Sequence, residues 1–126
     1  MDLSEVMKQY NDSISSINKK YDEKICKINE LHAEINDVPV KYKDNTAQFR
    51  DEKIKGLRKK VEKRQKDADE WKEEQLKKTE EKLDKQKQSI EEENKIRVEE
   101  AEASANAFST KTNKKKQNEQ NEYNQA

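Results

Sequence analysis

Apolar positions in the second half of the chain recur with a period of eleven residues. Counting from Ile54, Leu57 and Val61 in steps of eleven gives fifteen positions up to Ala105, and ten of them are apolar. Eleven residues fill three turns at about 3.67 residues per turn, which is close to the natural α-helix. The segment contains no proline and a single glycine, Gly56. The pattern therefore predicts one long charged helix over residues 46–108.

The first part of the chain carries a second apolar pattern. Asp2 and Glu5 have the spacing of a capping box at the start of a helix. The apolar positions after them alternate between spacings of four and three residues, as in a heptad seam. They are Leu3, Met7, Tyr10, Ile14, Ile17 and Tyr21. Because Pro39 cannot continue a helix and disfavours helical geometry at Val38, we predict a first helix over residues 1–36 and a connector over 37–45.

A connector this short favours antiparallel packing of the two helices. Pairing residues whose numbers add up to about 82 sets apolar positions opposite each other in such a hairpin. Tyr10 then lies opposite Trp71, and Ile28 lies opposite Ile54. The predicted hairpin seam comprises Tyr10, Ile14, Tyr21, Ile25, Ile28, Ile54, Leu57, Val61 and Trp71.

In this register the N terminus of the first helix lies opposite a point near Leu76 of the long helix. Residues 77–108 are therefore expected to project beyond the first helix. We predict that this overhang docks a second copy or another protein through Leu76, Leu83, Ile90 and Val98. The apolar stripe is too sparse for a strong two-stranded zipper, which needs apolar residues at two positions of every heptad. A partner-dependent coiled coil and a solvated single helix, stabilised by pairs such as Glu74 and Lys78, both remain open.

Composition narrows the class of protein. Charged residues make up 44% of the chain and apolar residues 29%, which is too little apolar material for an ordinary globular core. The formal net charge is zero, which argues against general binding to nucleic acid or membrane surfaces. No membrane span or secretory signal is evident, and we expect a cytoplasmic protein or one within a particle assembled there. Residues 109–126 are polar and are predicted to form a disordered tail.

Candidate chemistry is sparse. His32 is the only histidine and Cys26 the only cysteine, so no histidine triad, histidine metal cluster or internal disulfide can form. With one glycine, the chain has no glycine-rich phosphate loop. We therefore expect no enzymatic activity, no cofactor and no metal.

Charge is distributed unevenly along the long helix. Residues 50–66 carry nine bases and three acids, whereas residues 91–102 carry six acids and two bases. Self-association would therefore bring the basic end of one copy onto the acidic end of another, in a salt-sensitive way. The basic stretch is also a candidate for nucleic-acid contact. Its candidate residues are Arg58, Lys59, Lys60, Lys63 and Arg64.

The patterns together predict an all-α, elongated antiparallel helical hairpin with a long second helix that projects beyond it. In general architecture the chain resembles small all-helical assembly proteins, including internal components of viral or phage particles. The predicted function is a non-enzymatic structural protein, a coiled-coil rod or scaffold that joins a homo-oligomer or a larger assembly. The alternatives are a nucleic-acid-binding accessory protein that uses residues 50–66, and a monomeric charged single-helix spacer.

Overall fold

A computed structural model of the chain contains two α-helices that pack against each other. Helix α1 spans Leu3–Lys41 and helix α2 spans Ala47–Gln125. The structure describes the backbone of residues 2–125 and the side chains of residues 2–108. Within that part of the chain there is no strand, and the predicted all-α helical hairpin is confirmed.

Helix α1 begins where the capping signal predicts. The side chain of Asp2 accepts a hydrogen bond of 2.9 Å from the backbone N–H of Glu5 and so satisfies one of the free donors of the first turn. Three of its buried residues, Val6, Ile17 and Ile28, lie eleven residues apart. Leu3, expected on the seam, is half exposed. The other five predicted seam positions of α1, up to Tyr21, are half-buried or buried, and the eleven-residue spacing of its buried residues matches the period of α2.

The prediction that Pro39 ends the first helix is wrong. Helix α1 continues through Pro39 to Lys41, five residues beyond the expected end at residue 36. Proline removes one backbone N–H and crowds the preceding turn, so its presence in a helix must be offset by packing. Val38 supplies that packing, since it is only 2% exposed. The backbone N–H of Tyr42 then donates to the carbonyl of Val38 at 3.0 Å and closes the last turn.

The turn between the helices is short and is held by Arg50. Its guanidinium donates hydrogen bonds to the backbone carbonyls of Tyr42, Lys43 and Asn45. Thr46 caps α2, because its hydroxyl accepts a hydrogen bond of 3.1 Å from the N–H of Phe49. The connector therefore occupies residues 42–46 and not the predicted 37–45.

The eleven-residue stripe of α2 faces α1 as far as Ile90. Every position of the pattern up to that residue is half-buried or buried, and Ala68 is the most buried at 3% exposure. The pattern includes polar members such as Gln65, Lys72 and Thr79, which are half-buried on the same face. All nine residues of the predicted hairpin seam are likewise half-buried or buried. The sequence pattern therefore identified the packed face correctly.

The predicted register of the hairpin is wrong. Tyr21 was expected opposite Val61, but it contacts Gln65 and Asp69. Trp71 was expected opposite Tyr10, but it lies beside Lys24. The contacts are displaced by about one to three helical turns along α2. The displacement follows from the extension of α1 through Pro39, which moves the point of chain reversal toward the C terminus.

The new register shortens the predicted overhang. The N terminus of α1 lies beside residues 90–97 of α2, where Asp2, Leu3 and Glu5 share a surface hollow with Ile90 and Arg97. The overhang therefore begins near residue 98 and not at residue 77. The predicted disordered tail covers residues 109–126. Apart from the backbone of α2, which continues to Gln125, these residues lie outside the part of the chain that the structure describes, and the disorder stays a prediction.

Candidate functional site

A groove lined by bases runs along one edge of the hairpin. Two hollows of about 300 and 230 Å³ follow each other there. Their lining residues recur every three or four positions in both helices, which places them on one continuous edge. Six basic side chains line this groove, which we call the basic groove. They are Lys24, Lys27 and Lys41 of α1 and Lys53, Lys60 and Arg64 of α2.

The basic groove also contains acids and an apolar floor. Three carboxylates, those of Glu34, Asp37 and Asp67, lie among the six bases and leave an excess of positive charge. Leu57 and Ala68 form part of the floor. The positive rim of such a groove favours an acidic ligand.

Aromatic rings in or next to the groove are covered by lysines. The Lys24 ammonium lies 5.0 Å from the centroid of the Trp71 ring. The ammonium groups of Lys41 and Lys53 lie 5.6 and 5.5 Å from the Tyr42 centroid. These distances fit cation–π contacts, which favour a charge over a ring face. The contacts of Lys24 with Trp71 and of Lys53 with Tyr42 join residues that are far apart in the sequence, and they hold these lysines along the groove.

The five residues predicted to contact nucleic acid do not form one surface. All five are exposed. Lys60 and Arg64 line the basic groove, whereas Arg58 and Lys59 line a hollow on the other side of α2 beside Glu62. The sequence missed the contribution of α1, because Lys24, Lys27 and Lys41 join the patch only through the observed register.

A polar cluster joins the helices on the opposite edge. The Tyr21 hydroxyl donates a hydrogen bond of 2.7 Å to Asp69 Oδ1, and Gln65 Nε2 donates to the same carboxylate oxygen at 3.0 Å. The hydrogen bond to Asp69, followed by partial desolvation, raises the pKa of Tyr21 above its ordinary value. Lys72 lies over the same ring at 4.4 Å from the centroid. Sequence spacing did not signal this cluster, because its members come from both helices.

The residues predicted for partner docking divide between two environments. Leu76, Leu83 and Ile90 are half-buried on the face of α2 that packs on α1. Val98 is 55% exposed. We call residues 98–108 the projecting segment, and every side chain in it is exposed. The apolar stripe continues there through Ala101 and Ala105.

The single cysteine and the single histidine both lie on the surface. Cys26 is a free, exposed thiol, and His32 is exposed beside the buried Leu31. Among residues 2–108, no group of three or more histidine, cysteine or acidic side chains is placed to hold a metal ion. In the same part of the chain, neither helix has a stretch apolar enough and long enough to cross a bilayer.

The fold and its surfaces define the class of protein as an elongated two-helix hairpin with a projecting helix end and a basic groove. Comparison of the chain with protein-family models, with curated proteins and with solved structures finds no match.

Proposed function

We propose that the chain is a non-enzymatic structural protein, a helical rod that joins a larger assembly through the projecting segment of α2. The rod is the hairpin formed by α1 and the part of α2 that α1 covers. At about 1.5 Å per residue, that covered part of roughly fifty residues spans about 75 Å.

One observation carries the proposal. The apolar stripe of α2 continues past the end of α1, so side chains of the packed type reappear where no helix of this chain covers them. Val98 is 55% exposed, whereas Ile90, two turns earlier in the same stripe, is half-buried against α1. Burial of such a helix face against a partner lowers the free energy of the system and so favours association.

The experiment is light scattering combined with small-angle X-ray scattering over a range of protein concentration. We expect an elongated particle whose mass rises with concentration. Val98→Asp with Ala105→Asp should abolish this rise and leave helicity unchanged. Ile96→Asp with Ala103→Asp is the matched control, because Ile96 is 53% exposed and both residues lie on the face of α2 opposite the stripe. A concentration-independent monomer in the unaltered chain would contradict the proposal and favour a single-chain spacer.

Nucleic-acid binding is the second candidate function, and the basic groove is the observation that favours it. Six bases from two helices could follow a phosphate backbone, whose contacts weaken steeply with salt. The three carboxylates among them oppose such a ligand. A gel-shift assay at moderate salt tests this candidate. Loss of a shifted band on Lys27→Glu with Arg64→Glu, but not on Lys63→Glu, would support it.

A further inference from the structure

We infer that the partner of the projecting segment is the basic groove of a second copy, so that the chain assembles head to tail. This inference rests on the proposed function and names the surface that receives the segment. The segment would lie in the groove as a third helix, packed against the two helices of the neighbouring hairpin.

Charge is complementary between the two surfaces. The projecting segment carries Glu99, Glu100 and Glu102 and no base. The groove carries six bases and three acids. Opposite charges that meet across an interface increase the association rate and discriminate against wrong partners. Two projecting segments packed against each other would instead bring like charges together.

Apolar contact accompanies the charges. Val98, Ala101 and Ala105 are spaced three and four residues apart, which sets them on one face of α2. The floor of the groove includes Leu57, which is half-buried and so retains surface for a partner. An amphipathic helix that places its apolar face in a groove is a recurrent mode of recognition. The small alanines allow the helix axes to approach closely.

The dimensions of the two surfaces are compatible. The groove extends from Lys24 to Lys41 along α1, or about 26 Å at the helical rise, and the projecting segment, the first eleven residues of α2 beyond α1, occupies about 16 Å of it. The hairpin of the donor copy lies on the N-terminal side of its segment. In the inferred arrangement the segment lies parallel to the acceptor's own α2, so the donor's rod extends away past the turn of the acceptor copy.

This arrangement leaves one groove and one segment unused at the two ends of every complex. Such a heterologous contact adds further copies and forms an open chain when its rotation does not close a ring. Residues near 103 of one copy would lie beside residues near 60 of the next. The axial repeat is then about 65 Å from the helical rise.

The test uses two full-length variants that each disable one surface. The segment variant is Val98→Asp with Ala105→Asp, and the groove variant is Lys27→Glu with Arg64→Glu. Each alone should weaken self-association by about tenfold or more, as expected when complementary contacts are removed. The matched controls are Ile96→Asp with Ala103→Asp and, for the groove, Lys63→Glu. Circular dichroism confirms that all variants remain helical.

Mixing the two variants provides the decisive measurement. The segment variant retains a groove and the groove variant retains a segment, so the mixture should form a one-to-one dimer that grows no further. Sedimentation velocity distinguishes this dimer from the two separate monomers and from longer chains. Raising the salt should dissociate the dimer, because much of the contact is ionic.

The outcomes separate this inference from the proposed function. If the unaltered chain never associates, both are overturned. If the segment variant alone abolishes association and the mixture stays monomeric, the rod function stands and the groove is not the acceptor. The groove variant could instead still self-associate and lose only its binding to single-stranded RNA or to DNA. That result would identify the groove as a nucleic-acid site and overturn the head-to-tail contact.

Discussion

Tyr21 and Asp69 join the two helices by a hydrogen bond of 2.7 Å between the phenolic hydroxyl and the carboxylate. The contact crosses the hairpin near its middle, and Gln65 supports it from the same helix as Asp69. Because this hydrogen bond forms only when Tyr21 lies beside Asp69, it favours one register of the hairpin over others. The apolar seam between the helices is otherwise sparse.

Stability should fall at high pH through Tyr21. The pKa of Tyr21 is raised in the folded chain, chiefly because Asp69 accepts its hydrogen bond. The unfolded chain then loses this proton at a lower pH than the folded chain. The contribution of the contact is therefore complete below pH about 10 and declines as pH rises through the folded pKa. Thermal unfolding as a function of pH measures the decline.

Tyr21→Phe is the variant that tests the origin of this decline. It should lower the melting temperature at neutral pH and flatten the loss of stability above pH about 10, the ordinary tyrosine pKa. The difference in ultraviolet titration between the unaltered chain and this variant isolates the ionisation of Tyr21. A Tyr21 that titrates at or below its ordinary value would contradict the observed contact.

Gly56→Ala should stabilise the hairpin by about 0.5–1 kcal/mol, because alanine has the higher helix propensity. A Cβ atom built at Gly56 meets no atom within 4 Å, so the added methyl group causes no clash. The glycine therefore does not mark a close approach of the two helices. Ala68→Leu is the contrasting variant, since Ala68 is 3% exposed and overpacking there should destabilise by about 1–3 kcal/mol. Unfolding followed by circular dichroism compares the two.

Pro39→Ala should stabilise α1 by about 1 kcal/mol, less than the roughly 3 kcal/mol of a central helix position, because α1 ends two residues later. The alanine restores a backbone N–H within the helix. Val40→Ala serves as the control, since Val40 is 74% exposed and its truncation should change stability by less than about 0.5 kcal/mol. If Pro39→Ala has no effect or destabilises the chain, then proline acts in a turn and the helix ends before it.

The register can be tested by cross-linking. Gln9 Oε1 accepts a hydrogen bond of 3.5 Å from Gln86 Nε2, so cysteines at these two positions should react together with a short bismaleimide. The control pairs Gln9→Cys with Glu73→Cys, the partner in the register where residue numbers add up to about 82. Position 73 lies about 20 Å from position 86 along α2. Both pairs carry Cys26→Ser, and preferential linkage of the control pair would contradict the structure.

Which residues of α2 pack in the hairpin follows from the sequence alone. The eleven-residue period of α2 predicts the half-buried face from Ile54 to Ile90, including the polar Gln65 and Lys72. The cap at Asp2 predicts the start of α1. Both are local properties, because a helical period and a capping side chain depend only on residues within a few turns.

The tertiary structure alone decided how far the two helices are shifted along each other. When both helices repeat every eleven residues, a shift by about one repeat brings equivalent faces together again, so the apolar pattern cannot distinguish the registers. Burial of Val38 stabilises the helical conformation of α1 past Pro39, and Arg50 stabilises the turn that follows through hydrogen bonds to its backbone carbonyls. The basic groove and the starting point of the projecting segment are consequences of that shift, because each depends on which residues of α1 lie beside which residues of α2.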